Sequence, residues 1–416
     1  MGNDSKNEYY MLPSSMEPLF PEDDSKVLEN LALELIEKSA RLSGAMNPIT
    51  RAAIADFLRP MNSYYSNLIE GHDTHPIDID KALNNDYSDI KTKKDLQLEA
   101  KAHINVHKTI TDEFIGGKAS IPSSLDFLKR LHLEFYKHLP DDFKKSLSLD
   151  GTTKIVVPGE FRMREVKVGK HVAPYSEYLL SFMERFESFY NPLSNTNSSK
   201  LRRIILIAAS HHRLAWIHPF LDGNGRVVRL YSDAYFMHEN THASGLWSIS
   251  RGLARTKDTY REMLANADLK RFSDHDGRGN LSNKMLIEFC KYFLETAIDQ
   301  VDYMYKMIDI ETMLGRIEKF ADLMVLKNKL KPKAKYILID VFLKGKISKK
   351  EAIRLTNTSD KTLKALVDSL IEMDLIVAKM EGVVMMYYVN YSIKYSPLLF
   401  PGLYPSQKEI DIIDLN

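Results

Sequence analysis

Hydrophobic residues recur at helical spacing along most of the chain. In the first clear example, Leu28, Leu31, Leu35 and Leu42 follow a period of about 3.6 residues and stop before Gly44. The same spacing recurs in residues 45–140, 200–217, 225–240 and 248–328. This pattern predicts a mainly α-helical protein.

Strand character before residue 330 is confined to residues 154–168. β-Branched residues lead into Pro158-Gly159, and Val166 and Val168 then alternate with lysines. Alternation of this kind is typical of a short ribbon with one covered face. We therefore expect one β-hairpin on an otherwise helical bundle.

The pattern changes after residues 331–333, where a Lys-Pro-Lys sequence favours a hinge. Three helical segments follow, and Ser348 and Ser359 are placed to cap the second and third. Two strand-like runs then meet at residues 381–382. Three helices and a two-stranded wing predict a winged helix-turn-helix domain over residues 331–392.

Composition narrows the classes of function. The 416 residues are 44% hydrophobic and 27% charged, which is ordinary globular usage. The 57 basic and 56 acidic residues nearly balance, so the surface as a whole is not a basic coat for nucleic acid or lipid. Cys290 is the only cysteine, which excludes intrachain disulfides and thiolate metal clusters. With no apolar signal-peptide core and no long apolar run, we expect a cytoplasmic protein without membrane association.

One loop collects the residue types that phosphate binding needs. Gly223 and Gly225 allow backbone N–H groups to approach an anion, and the helix that begins there adds its positive dipole end. Arg226 and Arg229 are three residues apart, so they share one helix face and both can fork onto phosphate oxygens.

Two further side chains in this loop carry chemistry. Asp222 offers a hard oxygen ligand suited to Mg²⁺, and His218 has the pKa range of a general base near neutral pH. A plain helix-loop-helix turn would explain each residue singly, but it does not need them all together. Neither a P-loop lysine pattern nor a Rossmann glycine fingerprint is present.

Residues 218–229, HPFLDGNGRVVR, match the signature HPFx(D/E)GNGRxxR at every specified position. The chain therefore resembles Fic-domain proteins. The resemblance implies a Fic-type helical bundle with a short β-hairpin flap. It also implies an enzyme that uses Mg²⁺ and transfers AMP from ATP to a Ser, Thr or Tyr hydroxyl of a target protein, with release of pyrophosphate.

The resemblance also assigns roles within the loop. It implies that His218 is the general base, that Asp222 is the Mg²⁺ ligand and that Phe220 packs the loop into the core. It makes Arg226 the first phosphate-binding arginine and Arg229 the one that meets the γ-phosphate. The anion hole for the α- and β-phosphates would be formed by Gly223, Asn224 and Gly225.

The predicted hairpin is similar to the flap of this family, whose edge holds the target segment by β-augmentation. Its candidate residues are Gly159, Glu160, Phe161, Arg162, Val166 and Val168. An ordinary surface ribbon is the alternative. Tyr260 stands where the family places residues near the adenine, and a core position is the alternative for it.

Residues 66–71, SNLIEG, resemble the inhibitory motif (S/T)xxxE(G/N) of some Fic proteins through Ser66, Glu70 and Gly71. In the family, the glutamate pairs with the second arginine, which is Arg229 in this chain. Such a carboxylate would take the guanidinium from the γ-phosphate and add negative charge to the ATP site. We therefore expect an auto-inhibited enzyme. The residues that follow, 72–75, are expected to form a loop.

The motifs divide the chain into six parts. They are a leader at 1–20, an N-terminal helical region at 21–112, a Fic core at 113–310, a helical linker at 311–330, the winged module at 331–392 and a C-terminal tail at 393–416.

Two other functions remain open. The enzyme could remove AMP from its target, with Glu70 positioning a water, or the chain could be a DNA-binding regulator whose Fic core senses nucleotide. Residues 331–390 carry 11 basic and 7 acidic residues, a modest excess for DNA, and winged helices also dock proteins. The expected partners are ATP, a target protein, the chain itself as a self-modification substrate or homodimer, and DNA or protein at 331–390.

Overall fold

A computed structural model describes residues 7–117, 120–147, 152–169, 171–194 and 198–414. Residues 1–6 of the expected leader and the last two residues of the chain lie outside this part. No helix among the described residues combines the length and the apolar character that crossing a bilayer requires.

The first part of the described chain is helical. Its helices are α1 (Val27–Gly44), α2 (Pro48–Ile69), α3 (Pro76–Leu83), α4 (Lys91–Ile115) and α5 (Leu125–Tyr136). Local sequence sets where they begin, because the Asn47 side chain accepts the Ile49 N–H at the start of α2, and Ser124 accepts the Phe127 N–H at the start of α5.

The middle of the chain is also helical. Its helices are α6 (Leu179–Tyr190), α7 (Lys200–Ile217), α8 (Asn224–His238), α9 (Ile249–Arg255), α10 (Lys257–Ala267), α11 (Asn283–Met307) and α12 (Ile310–Leu326). α7 is buried over nearly all of its length and packs against α1, α6, α8 and α11. It is therefore the central helix of the core, and its C-terminal end fixes where the loop before α8 begins.

The strand region differs from the single hairpin expected over residues 154–168. β1 (Lys145–Leu147) pairs with β2 (Thr153–Ile155), and β3 (Lys167–Val168) pairs with β4 (His171–Val172). The chain between β2 and β3 is instead held to the core, because the Arg162 N–H donates to the Pro219 carbonyl at 2.9 Å. This hydrogen bond holds the segment between β2 and β3 on the core, so these two strands do not pair with each other. Each pairs with a different short strand, β2 with β1 and β3 with β4.

The C-terminal module contains three helices and a three-stranded antiparallel sheet. Its elements are α13 (Ala334–Lys344), β5 (Lys346–Ser348), α14 (Lys349–Thr356), α15 (Asp360–Glu372), β6 (Ile376–Glu381) and β7 (Val384–Val389). The strand order is β5-β7-β6, with Lys346 opposite Tyr388 and Ile376 opposite Val389. The three helices and two wing strands lie where they were expected, whereas β5 was not, and the winged helix-turn-helix assignment stays a prediction.

The last segment is folded through residue 414 and packs on α2. It contains α16 (Ser396–Leu399) and α17 (Ser406–Asp414). The Tyr65 hydroxyl donates to the Leu403 carbonyl at 3.1 Å, and the rings of Phe57 and Phe400 lie 4.8 Å apart. The module joins the same helix, because the Thr50 hydroxyl donates to the Phe342 carbonyl at 2.6 Å.

Gly345 tests this packing. Its φ is +79°, and a Cβ there would collide with the Cβ of Ile49 on α2. We expect Gly345→Ala to lower the free energy of unfolding by about 2 to 4 kcal/mol, from backbone strain and overpacking, in urea denaturation. Gly315→Ala is the control, because open space surrounds Gly315 within α12, and it should be neutral or stabilising. Equal effects of the two changes would contradict this account.

Candidate active site

The loop between α7 and α8 is shaped by its own side chains. The Asn224 amide accepts the Phe220 N–H at 2.9 Å and donates to the Phe220 carbonyl at 2.8 Å. The Phe220 ring is buried and stacks on His132, with ring centroids 4.2 Å apart. Because the Asn224 side chain makes both of these hydrogen bonds, Asn224 would contact a phosphate through its backbone N–H.

His218 ends α7 in the left-handed conformation, with φ at +52°. The Arg162 Nε–H donates to its carbonyl at 2.8 Å and fixes the backbone. Burial, followed by the charges of His171 and Arg162, lowers the pKa of His218 to about 4. The imidazole is therefore neutral at neutral pH, which is the form that can accept a proton.

A cavity of about 200 Å³ opens beside the start of α8. Its wall is formed by Glu70, His72, Glu99, Phe135, Tyr136, Leu139, Phe143, Asp222 and Arg226. The Asp222 carboxylate accepts the Tyr136 hydroxyl at 3.1 Å and the Gly223 N–H at 2.7 Å. Carboxylate oxygens are the ligands that Mg²⁺ prefers, so the donor chemistry of Asp222 fits that ion.

Arg229 is buried and faces the end of α2. Its Nε–H donates to the Ser66 hydroxyl at 3.0 Å, and its Nη2 donates to the Ser66 carbonyl at 2.9 Å and to Glu70 Oε1 at 2.6 Å. The structure thus brings together residues that are 159 positions apart in sequence.

The Glu70 carboxylate lies over the first turn of α8. A Cβ on Gly225 would overlap Glu70 Oε1, so only glycine permits this approach. Burial pushes the pKa of Glu70 upward, but the charges of Arg229 and Arg226 and the hydrogen bond from Arg229 outweigh it and hold the pKa below its usual range. Glu70 is therefore an ionised carboxylate at the helix N-terminus, where a phosphate would otherwise be favoured.

The end of α2 is held from another helix. The Lys257 ammonium donates to the Leu68 carbonyl at 3.1 Å, and Arg261 donates to the Ile69 carbonyl at 3.4 Å. Gly71, with φ at +94°, ends the helix and donates its N–H to the Leu68 carbonyl at 3.1 Å. Cations from α10 thus stabilise the C-terminal carbonyls of the turn that carries Glu70.

Arg226 also has a carboxylate partner, Glu99 on α4, which was not anticipated. Its Nη2 donates to Glu99 Oε1, and its Nε–H approaches the Asn67 amide oxygen at 3.3 Å. Both charged side chains are almost fully buried. Both arginines of the loop helix are therefore paired with acids supplied by other helices.

His72, expected to be a loop residue, belongs to the same group. Its Nδ1 lies 2.6 Å from Glu99 Oε2 and 3.2 Å from Arg226 Nη2. Its hydrogen bond to Glu99 raises its pKa, against an opposing effect of burial. One sequence signal was available, since Glu99 lies among apolar positions of α4, and a buried acid requires a partner.

Tyr260 is buried behind Arg229 and does not line the cavity. Its hydroxyl lies 2.8 Å from His211 Nε2. Burial raises its pKa above the usual range. Its position corresponds to the core alternative rather than to a wall of the nucleotide pocket.

The flap residues divide into anchors and exposed positions. The Gly159 N–H donates to His132 Nδ1 at 2.9 Å, and the Phe161 ring lies 5.4 Å from that of Phe220. The buried Arg162 donates to the carbonyls of His218, Arg164 and Pro174. By contrast, Glu160 and Val168 are exposed and Val166 is half-buried. The anchors hold this segment beside the loop and leave its far end accessible.

Comparison with known families agrees with this site. Residues 122–236, which run from the start of α5 into α8, match the model of the Fic/DOC family. The chain contains a Fic domain. The expected core over 113–310 is broader than this match.

The curated relatives of the Fic domain are short matches. The "Protein adenylyltransferase Fic" proteins of Drosophila virilis and Drosophila yakuba are each 43% identical to this chain over 79 residues. The match covers 19% of this chain and only 16% and 15% of those two proteins. The match therefore spans less than a fifth of the length of either relative.

Solved structures share the fold over a larger part of the chain. A Fic family protein from Desulfovibrio desulfuricans G20 has a TM-score of 0.51 at 15% identity, over 89% of this chain and 98% of that one. A Fic domain containing signaling protein from Bacteroides thetaiotaomicron VPI-5482 has a TM-score of 0.51 at 21% identity, over 66% and 96%. At these identities the likeness concerns the fold alone.

Glu99 should matter for stability because it neutralises a buried arginine. Glu99→Gln leaves Arg226 without its carboxylate, so we expect the free energy of unfolding to fall by about 3 to 5 kcal/mol in urea denaturation. Glu34→Gln is the matched control. Glu34 pairs with Lys38 at 2.8 Å on the surface of α1, and its loss should change stability by less than about 1 kcal/mol. An effect of Glu99→Gln no larger than the control would contradict the role given to the pair.

Proposed function

We propose that the chain is a protein adenylyltransferase that moves AMP from ATP to a hydroxyl side chain of a target protein and releases pyrophosphate. The observation that carries the proposal is the loop before α8, where a neutral His218, a carboxylate and two arginines surround a helix N-terminus. The curated relatives of the Fic domain, named adenylyltransferases, support the same reaction class.

In the proposed reaction the target hydroxyl oxygen attacks the α-phosphorus of ATP. The bond from that phosphorus to the bridging oxygen breaks, and pyrophosphate leaves with the bonding electron pair. His218 takes the hydroxyl proton, which its depressed pKa allows at neutral pH because the imidazole is unprotonated. The anchoring of its backbone by Arg162 would keep the ring in place for this transfer.

Phosphate binding would fall to the start of α8. Asn224 and Gly225 begin the helix and offer backbone N–H groups at its positive end, whereas the Gly223 N–H is already donated to Asp222, and Arg226 and Arg229 follow on the same side of the helix. Asp222 would hold Mg²⁺, which would neutralise charge on the phosphates. With its carboxylate oriented by Tyr136 and Gly223, Asp222 is positioned before the nucleotide arrives.

Glu70 would act as a brake on this reaction. Its ionised carboxylate accepts a hydrogen bond from the Arg229 guanidinium and lies over Gly225, where phosphate oxygens would have to approach. Electrostatic repulsion would then prevent the γ-phosphate from reaching Arg229 and leave the α-phosphate poorly aligned for in-line attack. We extend the proposal to an auto-inhibited enzyme for this reason.

The brake and the base can be tested with ATP labelled at the α-phosphate. Glu70→Gly should increase label on the chain itself, because Arg229 becomes available to ATP. Glu70→Gln should do so as well, since it removes the charge with little change of shape. Adding His218→Ala to Glu70→Gly should lower labelling by about 100-fold or more through loss of the base. ATP labelled at the γ-phosphate is the control and should leave no label.

Three outcomes would contradict parts of this proposal. Label from the γ-phosphate would mean phosphorylation rather than AMP transfer. Unchanged labelling in Glu70→Gly would remove the brake. Loss of AMP from prelabelled protein with wild type but not with Glu70→Gly would favour the alternative enzyme, in which Glu70 positions a water for AMP removal.

The pH dependence of labelling reports on His218. Because the pKa of His218 is lowered to about 4, its imidazole gains a proton only as pH falls through that value, and the rate should be lost there. We expect the acid limb of the Glu70→Gly variant near pH 4. An acid limb near the ordinary histidine pKa of about 6.5 would contradict the assignment. Circular dichroism over the same range separates this limb from acid unfolding.

A further inference from the structure

A second group of metal-ligating side chains lies outside the proposed active site. His107 is on α4, Asp233 is on α8, and His242 follows the end of α8. His107 Nε2 lies 3.6 Å from Asp233 Oδ2, and His242 Nε2 lies 3.7 Å from Asp233 Oδ1. All three ligand atoms lie within 4.8 Å of one another. The side chains are only 3%, 4% and 1% exposed, respectively.

These side chains lack the partners that buried polar groups normally have. Among the described residues, no hydrogen-bond partner lies at either ring nitrogen of His107 or His242 or at Asp233 Oδ1. In the same part of the chain, Asp233 Oδ2 accepts one hydrogen bond, from the Ser248 hydroxyl at 3.0 Å. Most buried polar atoms are paired, so three converging and unsatisfied groups require an explanation.

The separations are those of ligands around one ion. At 3.6 and 3.7 Å they are too long for hydrogen bonds. Two ligands that each bind a tetrahedral ion at 2.0 to 2.2 Å lie about 3.4 Å apart, whereas the three ligand atoms lie within 4.8 Å of one another, so the side chains would close by up to about 1.4 Å around an ion.

We propose that His107, Asp233 and His242 bind one divalent transition-metal ion, with Zn²⁺ as the ion that fits best. Two imidazoles and one carboxylate favour Zn²⁺ over Mg²⁺ or Ca²⁺, which prefer oxygen ligands throughout. The site is distinct from Asp222 and does not depend on the proposed reaction.

The ion would join the two helices that form the phosphate site. Glu99 lies two turns before His107 on α4, and Arg229 lies one turn before Asp233 on α8. A metal held between these helices would fix the distance across which Glu99 meets Arg226. Its role would be structural, because the buried cluster is not part of the cavity wall.

The test begins with metal analysis of the purified full chain by mass spectrometry. We expect about one transition-metal ion per chain, or uptake of about one Zn²⁺ by chelator-treated protein with a rise in Tm. Bound Co²⁺ should give the visible absorption of a tetrahedral site with nitrogen and oxygen ligands. Protein that carries no ion, takes up neither Zn²⁺ nor Co²⁺ and keeps its Tm on their addition would overturn the proposal.

Variants locate the site. His107→Gln and His242→Asn should each lose the ion or weaken its binding at least about 10-fold, because each change removes one side chain that would bind the ion directly. His212→Gln is the matched control. His212 is equally buried, but its Nε2 lies 3.1 Å from Asp268 Oδ1, away from the cluster, and this variant should keep the ion. Full metal content in folded His107→Gln protein would overturn the assignment. If the two variants do not fold, the Co²⁺ spectrum of the wild type decides.

Discussion

Two buried guanidinium groups on one helix turn impose the main constraint on this molecule. Arg226 and Arg229 follow the glycine loop on α8, and both are withdrawn from water. A buried charge without a counter-charge costs several kcal/mol, so each arginine requires an acid from elsewhere in the fold. α2 supplies Glu70 and α4 supplies Glu99. The positions of these two helices relative to α8 are therefore determined by charge as well as by apolar packing.

α2, the helix that supplies Glu70 to Arg229, also contacts the C-terminal part of the chain. α2 carries Ser66 and Glu70 at its C-terminal end, and along its length it contacts both the C-terminal module and the segment after it. The buried phenol of Tyr65, next to Ser66, donates to the backbone of Leu403. α2 of the N-terminal region therefore contacts both the Fic domain and the last residues of the described chain, although the sequence motifs assign these to separate parts.

The sequence predicted local features directly and one distant pair, Glu70 with Arg229, through the family resemblance, but it missed the other contacts between distant elements. Residues 218–229 are contiguous, so their motif and the helices on either side were predictable. Glu99 and His107 lie on α4, whose hydrophobic period predicts a buried face but not which helix that face contacts. The ribbons around Arg162 differ from the predicted hairpin because a side chain anchor, invisible to alternation, separates the strands. β5 is too short for any periodicity to predict.

Gly71 has a consequence for how the proposed brake could open. It follows Glu70, the C-cap of α2, so the Glu70 carboxylate is carried by a terminal turn, which is the part of a helix that frays most easily. The aromatic contacts of α2 with the C-terminal segment lie before this turn. Melting of a single turn would displace Glu70 by several ångströms while the rest of the helix stayed packed. Activation in this fold would therefore be local unwinding, resisted by the ion pair of Glu70 with the buried Arg229 and by Lys257 and Arg261, and would require no movement of whole domains.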